Sequence, residues 1–321
     1  VQDLRSVSPR DLAAAARRLA YEAPALRALL MNAKRQAENL DGSAASLQAL
    51  DPRWLDNDTW QTFKRAAGPV GSYHLLSAVD VKYDYQQGLV AKDEAGLYRS
   101  ILARTFSIAA LTTLFCVVLA FPLCVFLDRR TPRARNALLL LILLPFWTSI
   151  LVRTTAWMVL LQDEGIVNAT LLRLGLIDSP VHLLYNRFGV ILALVHVMLP
   201  FMVFPLLAAM AGCNRLLVQA AYSMGARPLR VFFQVYLPQV LPGLAAGALM
   251  VFIVTLGFYI TPALLGGPAD QMISFYIAQF TTGTLNWGLA SALGLVLLVA
   301  TTLLYLIQAH LARRGSQGVN R

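Results

Sequence analysis

The residues of this 321-residue chain that could make or break bonds are few and far apart. A loop that cradles a nucleotide's phosphates needs a glycine directly before its lysine. The four lysines are Lys34, Lys64, Lys82 and Lys92, and none follows a glycine. The four histidines, His74, His182, His196 and His310, are scattered and show no metal-ligand spacing. Cys116 and Cys124 stand eight apart on one apolar run, about 12 Å along a helix, too far for a disulfide. With Cys213 they read as small packing residues. Neither a hydrolytic centre nor a metal centre is expected, and no cofactor is expected on this chain. Two other places carry residue types suited to binding and movement. One is Arg153 in the run FWTSILVRTTAW, with Trp147, Ser149 and Trp157 around it. The other is QAAYSMGARPLRVFFQVYLPQVLPG, residues 219–243.

The elements that must hold these residues follow from composition. The chain is 57% apolar and 14% charged, with mean hydropathy +0.59, whereas soluble domains carry about 25% charged residues. Five apolar segments are predicted as membrane spans, at 101–127, 137–161, 188–210, 243–265 and 289–311. Each is long enough to cross roughly 30 Å of hydrocarbon as a helix. Arg153 then lies in the outer half of the second span. Charged groups at that depth tend to face the bundle interior or water. It reads either as a pathway residue or as a structural group, bonded to a carboxylate or a helix end or snorkelling outward. Pro122, Pro145, Pro200, Pro205 and Pro262 are further candidate breaks, and breaks at membrane depth often line transport sites. Phe258, Tyr259 and Thr261, beside Pro262, are taken as pathway-lining. His196 is read as a hydrogen-bonding packing residue.

Within 219–243, Gly225 and Pro228 punctuate two short helices, predicted at 215–224 and 228–237. Ala220 and Ala221 permit close packing on the first. Leu229, Phe232, Phe233 and Tyr236 oppose Arg230 and Gln234 on the second. Pro238 and Pro242 are expected to end it and start the next span.

Arginine placement orients the spans. Residues 101–321 hold 14 arginines, no lysine and five acids. Ten of those arginines fall on one side: Arg129, Arg130, Arg133 and Arg135 in one link, Arg215, Arg227 and Arg230 in the next, and Arg313, Arg314 and Arg321 in the tail. That side is cytoplasmic by the positive-inside rule. Residues 1–100, with 13 basic and 12 acidic residues, then lie outside. They begin without a signal-peptide pattern, so a further membrane helix is expected ahead of Val1. Ser8, Pro9 and Asp11 form a helix start, and Pro24 a kink or break. Residues 41–43 read as a loop, and Trp54, Trp60, Phe63 and Tyr73 supply a small packed unit. His74, Tyr83 and Tyr85 follow. The segment is either a docking surface for an external partner or a cap.

Gln219, Ala220 and Ala221, then Gly225, then Val235, Leu237 and Pro238 resemble the motif E-A-A-x3-G-x9-I-x-L-P. It belongs to permease subunits of binding-protein-dependent ABC importers. Gln219 replaces the motif's Glu, which keeps hydrogen bonding and removes a charge. LLPFWTSILVRTTAW, LLYNRFGVILALVHVMLPFMVFPL and LGFYITPALLGGP further resemble permeases of the spermidine/putrescine class. The resemblance implies an all-α membrane protein with a type I importer transmembrane domain over 101–315. Five of its six core helices are present, behind a mainly helical periplasmic segment at 1–100. It implies a cytoplasmic coupling loop at 212–240, whose Gln219, Ala220, Ala221, Gly225, Ala226, Pro228, Leu229, Phe232 and Phe233 would meet an ABC ATPase. It also implies a bacterial inner-membrane location and a cytoplasmic C-terminus.

Implied partners are an ATPase dimer binding ATP and Mg, a second permease of a related but different sequence, a periplasmic solute-binding protein and membrane lipid, without nucleic acid. The implied cargo is a polyamine or related amino compound. Arg153 would repel a cation unless paired with an acid, so an anionic or zwitterionic solute stays open on the residues alone. A secondary transporter or channel is the alternative. It calls for acids within the spans, and the sequence has none there. A membrane-anchored enzyme would need a nucleophile or acid pair near a membrane face.

Overall fold

The computed structural model describes residues 6, 8–22, 24–37, 40–41, 43–67, 73–84, 88–91 and 96–319. Tyr85 and Arg321, used in the sequence reading, lie outside them. The chain divides into two compact units: Val1–Leu97 with Thr284–Leu293, and Tyr98–Gly283 with Gly294–Arg321.

The first unit holds α1 (Pro9–Glu22), α2 (Pro24–Arg35), α3 (Ala44–Leu50), a 3-10 turn (Pro52–Leu55), α4 (Asn57–Ala67) and α5 (Tyr73–Ala78). The Ser8 hydroxyl accepts the Asp11 N–H at 3.2 Å, capping α1 as its sequence signals. Leu12, Ala16 and Leu19 of α1 meet Leu30 of α2 in a small core. Leu26, Leu29 and Ala33 pack on Trp54. Trp54 stacks on Phe63 at 5.5 Å and meets Trp60 at 5.4 Å. The Tyr73 ring lies edge-on to His74. A two-stranded antiparallel hairpin, β1 (Val81–Asp84) and β2 (Gly88–Ala91), was not expected from the sequence. Asp41 accepts the Ser43 hydroxyl and N–H at 2.7 and 2.9 Å. These bonds hold its carboxyl at about 2. Asp51, bonded to the Arg53 guanidinium, is also held at about 2.

The second unit is built on α6 (Leu97–Asp128), α7 (Pro132–Leu143), α8 (Ile150–Leu161), α9 (Ile166–Arg173), α10 (Arg187–Ala211), α11 (Arg215–Ser223), α12 (Pro228–Val231), α13 (Leu237–Gly257), α14 (Ile260–Leu265) and α15 (Ile273–Ala278). α16 (Trp287–Val319) runs from the first grouping into the second. Among the described residues, four helices are long and apolar enough to cross a membrane alone. A fifth span exists if the pair 132–147 and 150–173, bent by 96°, crosses as one.

Helix direction decides this. Residues Ile101, Thr105, Ile108, Thr112, Cys116, Ala120, Cys124 and Leu127 form one buried stripe on α6, repeating every three or four positions. Cys116 Sγ points at the Val195 carbonyl and Cys124 Sγ at the Val203 carbonyl. Both pairs rise together, so α6 and α10 run parallel. The chain between them must therefore cross back once, and the bent pair is a broken span. α13 runs antiparallel to α10: Gly243 faces Pro205 and Ala209, and Gly247 faces Met202. A Cβ on Gly243 would fall 2.3 Å from the Ala209 Cβ. Helix association in lipid draws on such close approach of small residues rather than on a hydrophobic driving force.

The two ends of this unit are tied differently. At one end Arg187 pairs with buried Asp270 at 3.1 Å, and Arg104 donates to the Pro268 and Gln271 carbonyls at 3.4 and 3.3 Å. At the other, Arg215 pairs with Asp128 at 3.0 Å.

The second span, predicted over 137–161 with Pro145 as a candidate break, does break close to that proline: Thr148 is extended, and Ser149, at φ −57° and ψ 144°, opens the next helix. One sequence expectation is corrected here. Pro238 and Pro242 do not end a helix before the fourth span. The helix runs through from Pro228 to Gly257, because a π-turn at Phe232–Tyr236 widens it just before Pro238. The Leu237 N–H reaches back to Phe232. This wider turn removes the clash that proline makes with the carbonyl four residues earlier.

Candidate functional site

Two places in the second unit gather the candidate residues. The first is the hairpin of α11 and α12. Asn214 opens α11, its side chain accepting the Leu216 N–H at 3.0 Å, while its own N–H donates to Gln239 Oε1 at 2.8 Å. α11 ends in a Schellman motif. The Gly225 N–H donates to the Tyr222 carbonyl at 2.9 Å and the Ala226 N–H to the Ala221 carbonyl at 3.1 Å. Gly225 has φ +76°, a conformation glycine adopts freely and other residues resist. Arg227 is extended and Pro228 opens the next turn, where a missing N–H costs nothing.

This frame displays apolar side chains that stand exposed among the described residues. Met224 at the tip is 80% exposed, Leu229 74% and Leu216 73%. Phe233 is also exposed. Gln219, Ala220, Gly225 and Pro228 are exposed too, whereas Ala221 is buried and Ala226 half-buried. The second helix does not present the single apolar face expected. Val231 is buried, Phe232 and Tyr236 are half-buried, and Leu229 and Phe233 point out. The π-turn rotates these positions relative to a regular helix. Exposed apolar clusters of this kind mark contact sites.

The second place is where both helix breaks meet. α8 starts after Ser149, whose side chain makes no cap bond. α13 ends at Gly257, Phe258 is extended, and α14 starts at Ile260. Thr154 of α8 and Thr261 of α14, both buried, share a hydrogen bond at 3.2 Å. The Ser274 hydroxyl takes the Leu256 carbonyl at 2.6 Å, satisfying one freed by the break. Pro262 sits in the first turn of α14, where it removes no helical bond.

Arg153 bridges the α8 break. Its Nη2 donates to the Thr148 carbonyl at 3.2 Å and its guanidinium lies 5.8 Å from the Phe146 ring centroid. Its Nε and Nη1 are buried without a hydrogen-bond partner. Among the described residues no carboxylate pairs with it. The helix-end form of the structural reading is what the geometry displays, with donor capacity left over. Trp157 donates through Nε1 to His196 Nδ1 at 3.2 Å. An indole N–H only donates, so this His196 nitrogen is an acceptor and the ring is neutral.

Of the pathway candidates, Arg153, Trp157 and Thr261 each find a polar partner, in the Thr148 carbonyl, His196 and Thr154 respectively. Phe258 is half-buried between two apolar clusters. Trp147 (80% exposed), Ser149 and Tyr259 are exposed. Thr154 and His196 are the members that the sequence reading did not place on the pathway. The signal for His196 was a lone imidazole inside a span, but its partner lies 39 residues away in sequence.

Comparison with known proteins gives a consistent picture. Residues 110–317 match the family described as binding-protein-dependent transport system inner membrane component. The spermidine/putrescine transport system permease protein PotB of Escherichia coli K12 is 32% identical over 217 residues, covering 68% of this chain and 79% of PotB. The inner membrane ABC transporter permease protein YdcU of the same organism is 32% identical over 220 residues, covering 64% and 70%. Among solved structures, a chain of a bacterial ABC transporter involved in import of the acidic polysaccharide alginate superposes with TM-score 0.58. It is 20% identical and covers 89% of this chain and 98% of that one. That likeness speaks for the all-α membrane fold.

Proposed function

Because the chain belongs to the inner membrane components of binding-protein-dependent transport systems, we propose that it imports polyamines or related amino compounds, driven by a separate ATPase gripping the α11–α12 hairpin. It is a multi-pass permease subunit of an ABC importer. The observation that carries the coupling role is the rigid hairpin itself. A Schellman turn and an N1 proline fix its shape, while Leu216, Met224, Leu229 and Phe233 stand exposed on it. A surface of that kind transmits force only when something holds it. Closure of an ATP-loaded partner pair would push the hairpin and swing the spans between two openings, a two-state element biased by nucleotide.

The positive-inside rule applied to the arginine-rich links supports a cytoplasmic hairpin and a periplasmic first unit, where a solute-binding protein would dock. The helix breaks at Ser149 and Phe258 supply the pathway, with Thr154, Thr261, Trp157 and His196 between them. Arg153 is a cation in that pathway, so a cationic cargo requires acids facing it from the second permease. ATP and Mg belong to the partner subunits. The test is co-expression of the chain with its neighbouring genes' products, purification, and uptake of labelled spermidine into vesicles. Co-elution of a P-loop subunit with ATP-dependent uptake is expected. Uptake by the chain alone, or uptake indifferent to ATP, overturns the coupling role. ATP-driven uptake of other amino compounds only would overturn the polyamine assignment alone.

A further inference from the structure

We propose that the arginine-rich end of α6 is a binding site for an anionic phospholipid of the cytoplasmic leaflet. A groove of about 630 Å³ runs along the last turns of α6. Its deeper wall is apolar: Phe121, Pro122 and Val125, closed on the far side by Phe232 of the π-turn. Phe121 and Phe232 meet edge to face at 5.8 Å and form its floor. Its mouth carries Phe126, Arg129 and Arg130. From Phe121 to Asp128, the last residue of the helix, is about 10 Å along its axis, with Arg129 and Arg130 just beyond, and the helix is a membrane span. The groove is therefore apolar at hydrocarbon depth and doubly cationic at headgroup depth. That gradient is the one a phospholipid presents, an acyl chain below and a phosphate above.

The charges are available. The neighbouring acid, Asp128, is already committed to Arg215 at 3.0 Å. Arg130 lies over the Phe126 ring at 4.1 Å, which holds the guanidinium at the mouth and leaves its edge N–H groups for an anion. Among the described residues, no carboxylate is paired with Arg129 or Arg130. A soluble subunit would reach the mouth but not the apolar wall; a lipid fills both. An occupant here would brace Phe232, at the root of the hairpin. The site itself stands whether or not the hairpin is gripped by an ATPase.

The experiment uses the purified assembly in phosphatidylcholine nanodiscs with photoactivatable phosphatidylglycerol or photoactivatable phosphatidylcholine. Phosphatidylglycerol is expected to label the 121–130 peptide, with unlabelled phosphatidylglycerol competing and phosphatidylcholine not. Each arginine near an anionic headgroup contributes about fivefold, so Arg129→Gln with Arg130→Gln should weaken competition about thirtyfold. Arg133→Gln with Arg135→Gln, on the same link but outside the groove, should change it distinctly less than that pair does. Equal labelling by the two headgroups, or equal loss in the two double variants, overturns the site. So does a cross-link placing a protein segment against Phe121 and Val125 in the assembly. The headgroup comparison on the unaltered chain decides the matter even if a variant fails to fold.

Discussion

Substitution of Gly225 separates backbone strain from every other effect. The residue sits at φ +76°, and a Cβ built there meets nothing within 4 Å. A side chain at this position therefore clashes with no neighbour, and its cost is conformational. An L-residue in the left-handed region costs about 1–2 kcal/mol, Asn less because it bonds locally. A β-branched residue costs more. α11 is nine residues long and its only buried residue is Ala221, so it has little packing margin to absorb the strain. The population of the correctly turned hairpin should fall by the whole cost, about five- to thirtyfold for Gly225→Ala. Apparent affinity for the partner ATPase should fall by the same factor, measured by titrating that subunit onto the permease in nanodiscs. The expected order is Gly and Asn close together, then Ala, then Val, with span insertion unchanged. Ala and Val behaving as wild type, or Asn as badly as Val, would refute the reasoning.

Gly243→Leu should break the α10–α13 crossing, where even a Cβ falls 2.3 Å from Ala209. A loss of at least 1–3 kcal/mol is expected from overpacking, seen as a lowered thermal midpoint in detergent. Arg153→Ala removes the bond to the Thr148 carbonyl and should cut uptake at least tenfold while hairpin binding to the ATPase stays unchanged, a cost typical of a charged hydrogen bond. Normal uptake by that variant would return Arg153 to a purely structural role. Asp128→Asn weakens the ion pair that anchors Arg215. Because Arg215 is largely exposed, it should lower ATPase affinity only two- to fivefold. Asp41 and Asp51 titrate at about 2 in the fold against about 3.9 unfolded. Their contribution to the first unit is complete above pH 4 and lost as pH falls through about 2. Hydrogen exchange of residues 43–56 should therefore accelerate between pH 4 and 2, beyond the intrinsic rate change.

The hairpin was legible because its punctuation is local. Gly225 and Pro228 announce backbone conformations that few other residues supply, and both were found where expected. The apolar runs were legible as spans because length and hydropathy suffice for that. The break at Thr148 and Ser149 was legible only as Pro145, one of five candidate prolines; Pro122, Pro200 and Pro205 lie inside continuous helices, so a proline alone does not say which span turns. A serine four residues before Arg153, behind Pro145, was the further hint. The continuation of helix through Pro238 depends on a π-turn, which no residue pattern in Phe232–Tyr236 signals. The pairs Thr154 with Thr261 and Trp157 with His196 join positions 107 and 39 residues apart. Such contacts follow from how the broken spans fold back, so sequence could name the members but not the company they keep.

The most direct test of the coupling claim is a cross-link from the hairpin tip. Met224 is 80% exposed. Cys116 and Cys124 are fully buried, and burial pushes the Cys213 thiol up, slowing its reaction. With Cys213→Ser, Met224→Cys becomes the single accessible thiol. The account predicts a cross-link to a P-loop subunit in the working assembly, altered in yield by ATP, and no labelling of intact cells by a membrane-impermeant thiol reagent. Labelling from outside, or transport by an assembly in which Met224→Cys meets no ATPase, would contradict it.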